Sequence, residues 1–164
     1  VVHAELRGAP FFVIKSNGKK IGKETIEECG IAAGSFSRAW RLGLGYVDSY
    51  WVKPEQVSKK AKSGEYLSKG AFMIYGKKNY IKVELRLGVG FKEKVLCGPV
   101  KAIASQTDEY AIIVPGKDKP SKVAKEIKKK LKWDVDVDEI IRMLPPGGSK
   151  IEKFVLKSAK RITK

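Results

Sequence analysis

Ile81-Lys82-Val83-Glu84-Leu85-Arg86-Leu87-Gly88-Val89-Gly90-Phe91-Lys92 is the stretch on which the fold turns. Every odd position in it is apolar, and every even position is charged or glycine. A repeat of two places alternate side chains on opposite faces of a pleated strand, so this segment has one buried face and one open face. A single strand of that span would extend about 35 Å at roughly 3.3 Å per residue, longer than most strands. The expectation is therefore a strand bent at Gly88 or Gly90, or two strands meeting there.

Working upstream, Tyr46 to Lys53 is rich in β-branched and aromatic residues and stops at Pro54, which reads as a neighbouring strand. Before it, Ile26, Cys29, Ala33, Phe36 and Trp40 recur at three- and four-residue spacing, the pattern of one helix face. That helix should begin at Lys23 or Thr25 and end at Gly43 or Gly45. Ser16-Asn17-Gly18 is a turn. Val2–Leu6 and Phe11–Lys15 read as two short strands divided by Arg7-Gly8-Ala9-Pro10. Downstream, Val95–Gln106 and Glu109–Pro115 read as a hairpin around Thr107-Asp108. A helix opens at Pro120-Ser121 with Val123, Ile127 and Leu131 on one face, and a shorter helix over Asp134–Leu144 has acids at its N-terminus, favourable against the helix dipole. Pro145-Pro146-Gly147-Gly148 ends it, and the tail places Ile151, Phe154, Val155 and Ile162 where they can dock. The expected class is α+β: a mostly antiparallel sheet on one long helix over Glu24–Leu42, with a smaller C-terminal module of a β-hairpin and helices. The expected division is a core over 1–92 and an extension over 93–164.

The chain has 164 residues, enough for one sizeable core, and 43% of them are hydrophobic, as in folded proteins. Lys and Arg number 34 against 18 acids, a net charge of +16. Such an excess concentrates polyanions and points to nucleic acid or an anionic membrane surface. No run approaches the roughly 20 apolar residues of a membrane span, and the first residues lack a signal-peptide pattern, so a cytoplasmic protein without a membrane is expected. The chain opens directly on strand-like residues without Met, which reads as a fragment of a longer protein. Cys29 and Cys97 with the single His3 fall short of a four-ligand zinc site and read as buried thiols. Scarce Asn, Gln and Met beside abundant Lys and Glu resemble hyperthermophile composition.

Familiar catalytic and cofactor motifs fail on spacing. Between Gly70 and Gly76 lie five residues where a phosphate loop has four, and Lys78 stands where Ser or Thr should hold magnesium. Gly88-Val89-Gly90 lacks the third glycine of a dinucleotide fingerprint. Asp134, Asp136 and Asp138 have the opening spacing of a calcium loop, but Glu139 replaces the required Gly and Pro145 the final Glu, leaving a helix start as the reading. No metal or cofactor is expected.

The basic residues cluster instead in Val57–Tyr80, VSKKAKSGEYLSKGAFMIYGKKNY, with Lys59, Lys60, Lys62, Lys69, Lys77 and Lys78 against Glu65 alone. Lysines neutralise phosphates with release of counterions, and glycine backbone approaches phosphate oxygens closely. Tyr66, Tyr75 and Tyr80 offer rings on which unpaired bases stack. The plainer alternative is a solvated lysine face. Ala71–Tyr75 reads as a short strand of the main sheet that positions the lysines around it.

VHAELRGAPFFVIK over Val2–Lys15 and WVKPEQVSKKAKSGEYLSKGAFMIYGKKN over Trp51–Asn79 resemble the NFACT RNA-binding domain of the ribosome-associated quality-control subunit family, some of whose members carry the label fibronectin-binding protein. The resemblance covers roughly Val1–Lys92, and GPVKAI (98–103) and MLPPGG (143–148) resemble the C-terminal extension of archaeal members. It implies noncatalytic binding to tRNA or to RNA of the large ribosomal subunit carrying a stalled nascent chain. Where relatives often have a second histidine after the first strand, this chain has Arg7. On this reading Lys59, Lys60, Lys77 and Lys78 contact phosphates, with Arg7, Lys15, Lys62 and Lys69 nearby, while Tyr66 and Asn79 position bases or sugars. The alternatives are an enzyme acting on nucleic acid through His3 and Glu5 as a proton-transfer pair, and a basic module for an acidic protein partner.

Overall fold

The computed structural model describes residues 1–157. In chain order its first half contains β1 (Val2–Ala4), α1 (Lys23–Ser35), α2 (Arg38–Arg41), β2 (Tyr46–Trp51), β3 (Val57–Ser58), β4 (Met73–Ile74) and β5 (Asn79–Glu84). The second half contains β6 (Leu87–Lys92), β7 (Lys94–Pro99), α3 (Val100–Ala104), β8 (Tyr110–Asp118), α4 (Pro120–Leu131), α5 (Val137–Met143) and β9 (Ser149–Val155). The class is α+β with antiparallel pairing in every sheet, as the sequence led us to expect.

The deciding stretch is two strands in two sheets. β5 closes a three-stranded sheet of order β1-β2-β5, and β6 belongs to a four-stranded sheet of order β7-β6-β8-β9. The break falls at Leu85–Arg86, ahead of the expected glycines. Its cause is the partner strand: β2 begins at Tyr46, paired with Glu84, so the first sheet offers no strand beyond that point. Alternation survives the break, with Val83, Leu85, Leu87 and Val89 all buried in one cluster. Gly88 and Gly90 serve packing instead of bending: a Cβ at Gly88 would come within 3.0 Å of Ile103 on α3, and one at Gly90 within 2.9 Å.

The long helix expected over Glu24–Leu42 is divided. Ser37 accepts from Ala39 N at 3.1 Å and donates to Gly34 O at 2.6 Å, capping α2 while competing with the backbone of α1. Gly43, at φ 73, follows the second piece as a left-handed stop. The face of α1 is made of small residues: Gly30, Ala32, Ala33, Gly34 and Ser35 are buried, and Ile26, Cys29 and Phe36 only half so. This lets the helix axis approach the sheet, because a Cβ at Gly34 would strike Val47 and lie 3.0 Å from Leu85.

Three further expectations change. Phe11–Lys15 forms no strand, only a single bridge from Phe12 to Val2. The Ala71–Tyr75 segment does not join the main sheet; β4 pairs with β3 in a separate two-stranded ribbon. Lys94–Pro99 pairs with β6 in a hairpin turning on Glu93 (φ 62), and 100–104 is helix, so the hairpin expected around Thr107-Asp108 is absent, with β6 lying between β7 and β8.

α4 and α5 form as expected, with Val123, Ile127, Leu131 and Ile140 packed on Leu87, Val89, Ala111 and Ile113. Asp136 caps α5 by accepting from Asp138 N at 2.9 Å. The tail docks as β9 along β8, while Ile162 lies outside the described residues. Trp40 fastens the halves: it is buried, and its indole N–H donates to Gly148 O and Ser149 Oγ, both at 3.0 Å. Cys29 and Cys97 are free thiols, and burial pushes Cys97 up to about 12.

Candidate functional site

α1 covers one face of the β1-β2-β5 sheet, so residues of the opposite parity face away from it. They are His3 and Glu5 on β1 and its end, Tyr46, Asp48 and Tyr50 on β2, and Tyr80, Lys82 and Glu84 on β5. Register puts His3 opposite Tyr50 and Tyr50 opposite Tyr80. The three rings form a ladder across the strands, with centroids 5.7 Å and 5.8 Å apart. Phe11 extends it by stacking on His3 at 4.2 Å, and Phe72, from the segment entering β4, meets Phe11 edge-on at 5.2 Å.

Lysines overlie this row. Lys78 Nζ lies 4.6 Å from the Tyr50 centroid and Lys59 Nζ 6.0 Å from that of Phe72, within reach of the ring quadrupoles. Lys82 lies 5.9 Å over Tyr46. Lys78 also pairs with Glu5 at 3.2 Å. Burial acts to raise the Glu5 pKa, but the Tyr80 hydroxyl and the Lys78 ammonium outweigh it and hold the carboxyl below its ordinary value. Burial acts to lower Lys78, and Glu5 reverses that, so the ammonium titrates above its usual range. His3 is shifted down, chiefly by burial.

The ribbon is clamped to this sheet by Gln56. Its Nε2 donates to Tyr75 O at 2.8 Å and Lys77 O at 2.9 Å, while its Oε1 accepts from Lys53 N at 2.9 Å. The Tyr75 hydroxyl donates to Lys60 O at 2.9 Å, and Lys62 Nζ lies 5.8 Å over the Tyr75 ring. The loop between β3 and β4 thus presents Lys59, Lys60, Lys62, Tyr66 and Lys69, all exposed, and Tyr66 is 91% exposed. Among the described residues, no carboxylate forms an ion pair with Lys59, Lys60, Lys62, Lys69 or Lys77.

The residues singled out in the sequence fall into groups. Lys59 and Lys78 border the ring row, whereas Lys60 and Lys62 gather at Tyr75. Lys77 is exposed beside the Gln56 clamp. Asn79 donates to Trp51 O at 3.2 Å and so supports the sheet. Arg7 and Lys15 are exposed in the segments after β1 and before α1; with Tyr66 and Lys69 they make no described ring, ion-pair or side-chain hydrogen-bond contact with the row. Sequence reasoning did not select Phe11, Tyr50 or Phe72. The only signal was parity within β2, and it needed the register to become a site.

Residues 1–76 match the family model for the NFACT protein RNA binding domain. That segment is what ties the chain to this family. The NFACT match takes in β1 through β4 and the whole lysine loop. Over 160 residues, 93% of the chain, it is 45% identical to the archaeal Rqc2 homolog aRqcH of Methanocaldococcus jannaschii. It is 47% identical over 81 residues, 49% of the chain, to the ribosome quality control complex subunit NEMF homolog of Drosophila melanogaster. It is 44% identical over 96 residues, 57% of the chain, to the human ribosome quality control complex subunit NEMF. The chain spans 24% of the archaeal relative and 8% and 9% of the two animal ones. No solved structure matches it.

Proposed function

We propose that this chain is a noncatalytic RNA-binding module that contacts tRNA or large-subunit ribosomal RNA in cytoplasmic ribosome-associated quality control. The observation carrying this reading is the loop between β3 and β4: within the segment matched to an RNA-binding family, it holds four lysines free of described ion pairs. Lys59, Lys60, Lys77 and Lys78 are the phosphate contacts, supported by Arg7, Lys15, Lys62 and Lys69, with Tyr66 and Asn79 beside the ribose and bases. The described part of the C-terminal extension, 93–157, buttresses this core through Trp40.

The rival chemistry, proton transfer by His3 and Glu5, is poorly served. His3 Nε2 engages Ala9 O at 2.9 Å, its Nδ1 faces the Tyr50 hydroxyl at 3.3 Å, and Glu5 is held by Lys78. Both side chains already have partners within the fold.

A salt titration of tRNA binding tests the proposal. Four neutralised phosphates contribute a slope of very roughly three log units of affinity per log unit of salt. The Lys59/Lys60/Lys77/Lys78→Glu variant should lose that slope and most of the affinity. Unchanged binding by this variant would remove the site assignment, and failure of wild type to bind any RNA would remove the function.

A further inference from the structure

Open faces of antiparallel sheets ordinarily carry polar residues. Here the open face of the β1-β2-β5 sheet carries the ring row instead, and it surfaces at both ends: Tyr80 is 56% exposed, Phe11 37% and Phe72 38%. We infer that this row, Tyr80–Tyr50–His3–Phe11–Phe72, is a stacking platform for unpaired RNA bases, so that the module selects single-stranded segments over duplex. The inference rests on the RNA-binding reading above and names the substrate class of the same surface.

Three features favour this occupant. First, the rings are set in advance. Backbone pairing fixes three of them in register, and Phe11 is stacked on His3 at 4.2 Å. Little side-chain freedom is lost when a base arrives. Second, the platform is cationic. Lys59 stands at one end, Lys78 over the middle and Lys82 alongside, an arrangement suited to a strand whose bases lie on the rings and whose phosphates lie outward. An apolar protein segment has no use for that charge. Third, bases inside a duplex have both faces covered by their neighbours, and the A-form major groove does not admit side chains. Only unpaired bases present a free face to Tyr80 or Phe72.

The central rings have a supporting role. Tyr50 is 4% exposed, and His3 is half-buried between it and Phe11. They set the spacing of the exposed ends and are positioning residues. Tyr80 and the Phe11–Phe72 pair are the contact points.

The test uses a short unpaired RNA bearing one 2-aminopurine and the same RNA annealed to its complement. Binding is measured for wild type, Tyr80→Leu/Phe72→Leu and Tyr80→Phe, across a range of salt. Wild type should bind the unpaired RNA more tightly and quench its fluorescence on stacking. The double Leu variant should lose on the order of tenfold for the unpaired strand, with the quenching abolished and the salt slope unchanged. Its duplex affinity should stay the same, and Tyr80→Phe, which keeps the ring and loses only the hydroxyl, should retain the quenching at an affinity between those of wild type and the double Leu variant. Because Tyr80 and Phe72 are exposed, the Leu changes leave the core intact, and an unaltered unfolding midpoint verifies that. Equal wild-type affinity for the two RNAs, or undiminished quenching by the double Leu variant, overturns the platform while leaving the basic RNA-binding reading in place. Binding of a polyglutamate peptide as tight as that of the unpaired RNA, with no quenching, also overturns it. Loss of all RNA binding in wild type overturns both readings.

Discussion

At the scale of single residues, His3 shows how the fold fixes a protonation state. Donation from Nε2 to Ala9 O and acceptance by Nδ1 from the Tyr50 hydroxyl suit the neutral imidazole with its proton on Nε2. Burial disfavours the cation and lowers the pKa; the facing groups, Glu5 and Lys78, act in opposite directions, and Tyr50 is neutral in this range. The unfolded chain therefore binds more protons than the folded one as pH falls through about 6.5, and stability must decline below that point. Glu5 has a lowered pKa too, but its contribution is lost only below its ordinary value of 4.5. Thermal unfolding followed from pH 7.5 to 5 should show a falling midpoint in wild type and a flatter profile in His3→Gln. Glu5 offers a second prediction. Its carboxylate occupies Lys78 at 3.2 Å, so Glu5→Gln frees one ammonium and removes one repulsive charge beside the platform. RNA affinity at low salt should rise several-fold, with the salt slope steeper by about 0.7 to 0.9. Slower or unchanged association would mean that Lys78 serves the fold alone.

At the scale of elements, close approach explains what patterning does not. α1 meets its sheet through Gly30 and Gly34, where larger residues would hold the two layers apart. Gly34→Ala should destabilise by about 1–3 kcal/mol through overpacking against Val47 and Leu85, less roughly 1 kcal/mol regained from helix propensity. A lower urea midpoint with an unchanged slope is the expected result. Helix α4 shows the opposite case. Val123, Ile127 and Leu131 at four-residue spacing define a buried face, and that face was readable directly because the rest of the helix is lysine and other small or polar residues. The alternation over 81–92 was equally readable as burial but not as topology, since a period of two continues unbroken when the chain passes from one sheet to the next. The hairpin at Glu93 was missed for a related reason: a non-glycine at φ 62 gives no turn signal in composition. The candidate site divides likewise. Its lysines were legible because charge is a property of composition. The ring row was not, because residues 3, 50 and 80 become neighbours only through two strand registers.

At the scale of the whole molecule, the two main sheets share one core. Val47, Val83 and Leu85 of the first half lie in the same buried cluster as Leu87, Val89, Ile113 and Ile127 of the second, and Trp40 spans the join. A division into an RNA-binding core and an extension after Lys92 is therefore a proposal about function, and the packing predicts no matching division in stability. The tryptophans make this measurable. Trp51 lies on β2 of the first sheet, and Trp133 packs against Phe91 of the second at 5.7 Å. In each of two variants, one retaining only Trp51 and one only Trp133 with the other tryptophans changed to Phe, the fluorescence midpoint in urea should coincide with that of the loss of circular dichroism, as a two-state transition requires. Trp40→Ala should then lower stability by about 3–5 kcal/mol, and it should do so for both reporters equally, because the cavity opens between the halves. If instead the Trp133 signal were lost at lower urea than the circular dichroism of the same variant, the extension would be a separately stable unit. The RNA platform would then be independent of it, and a chain ending near Lys92 would retain single-strand binding. With one shared core, that shortened chain exposes Val83, Leu85, Leu87 and Val89 to water and should fail to fold, so the extension would serve the proposed RNA surface by holding the first sheet in place.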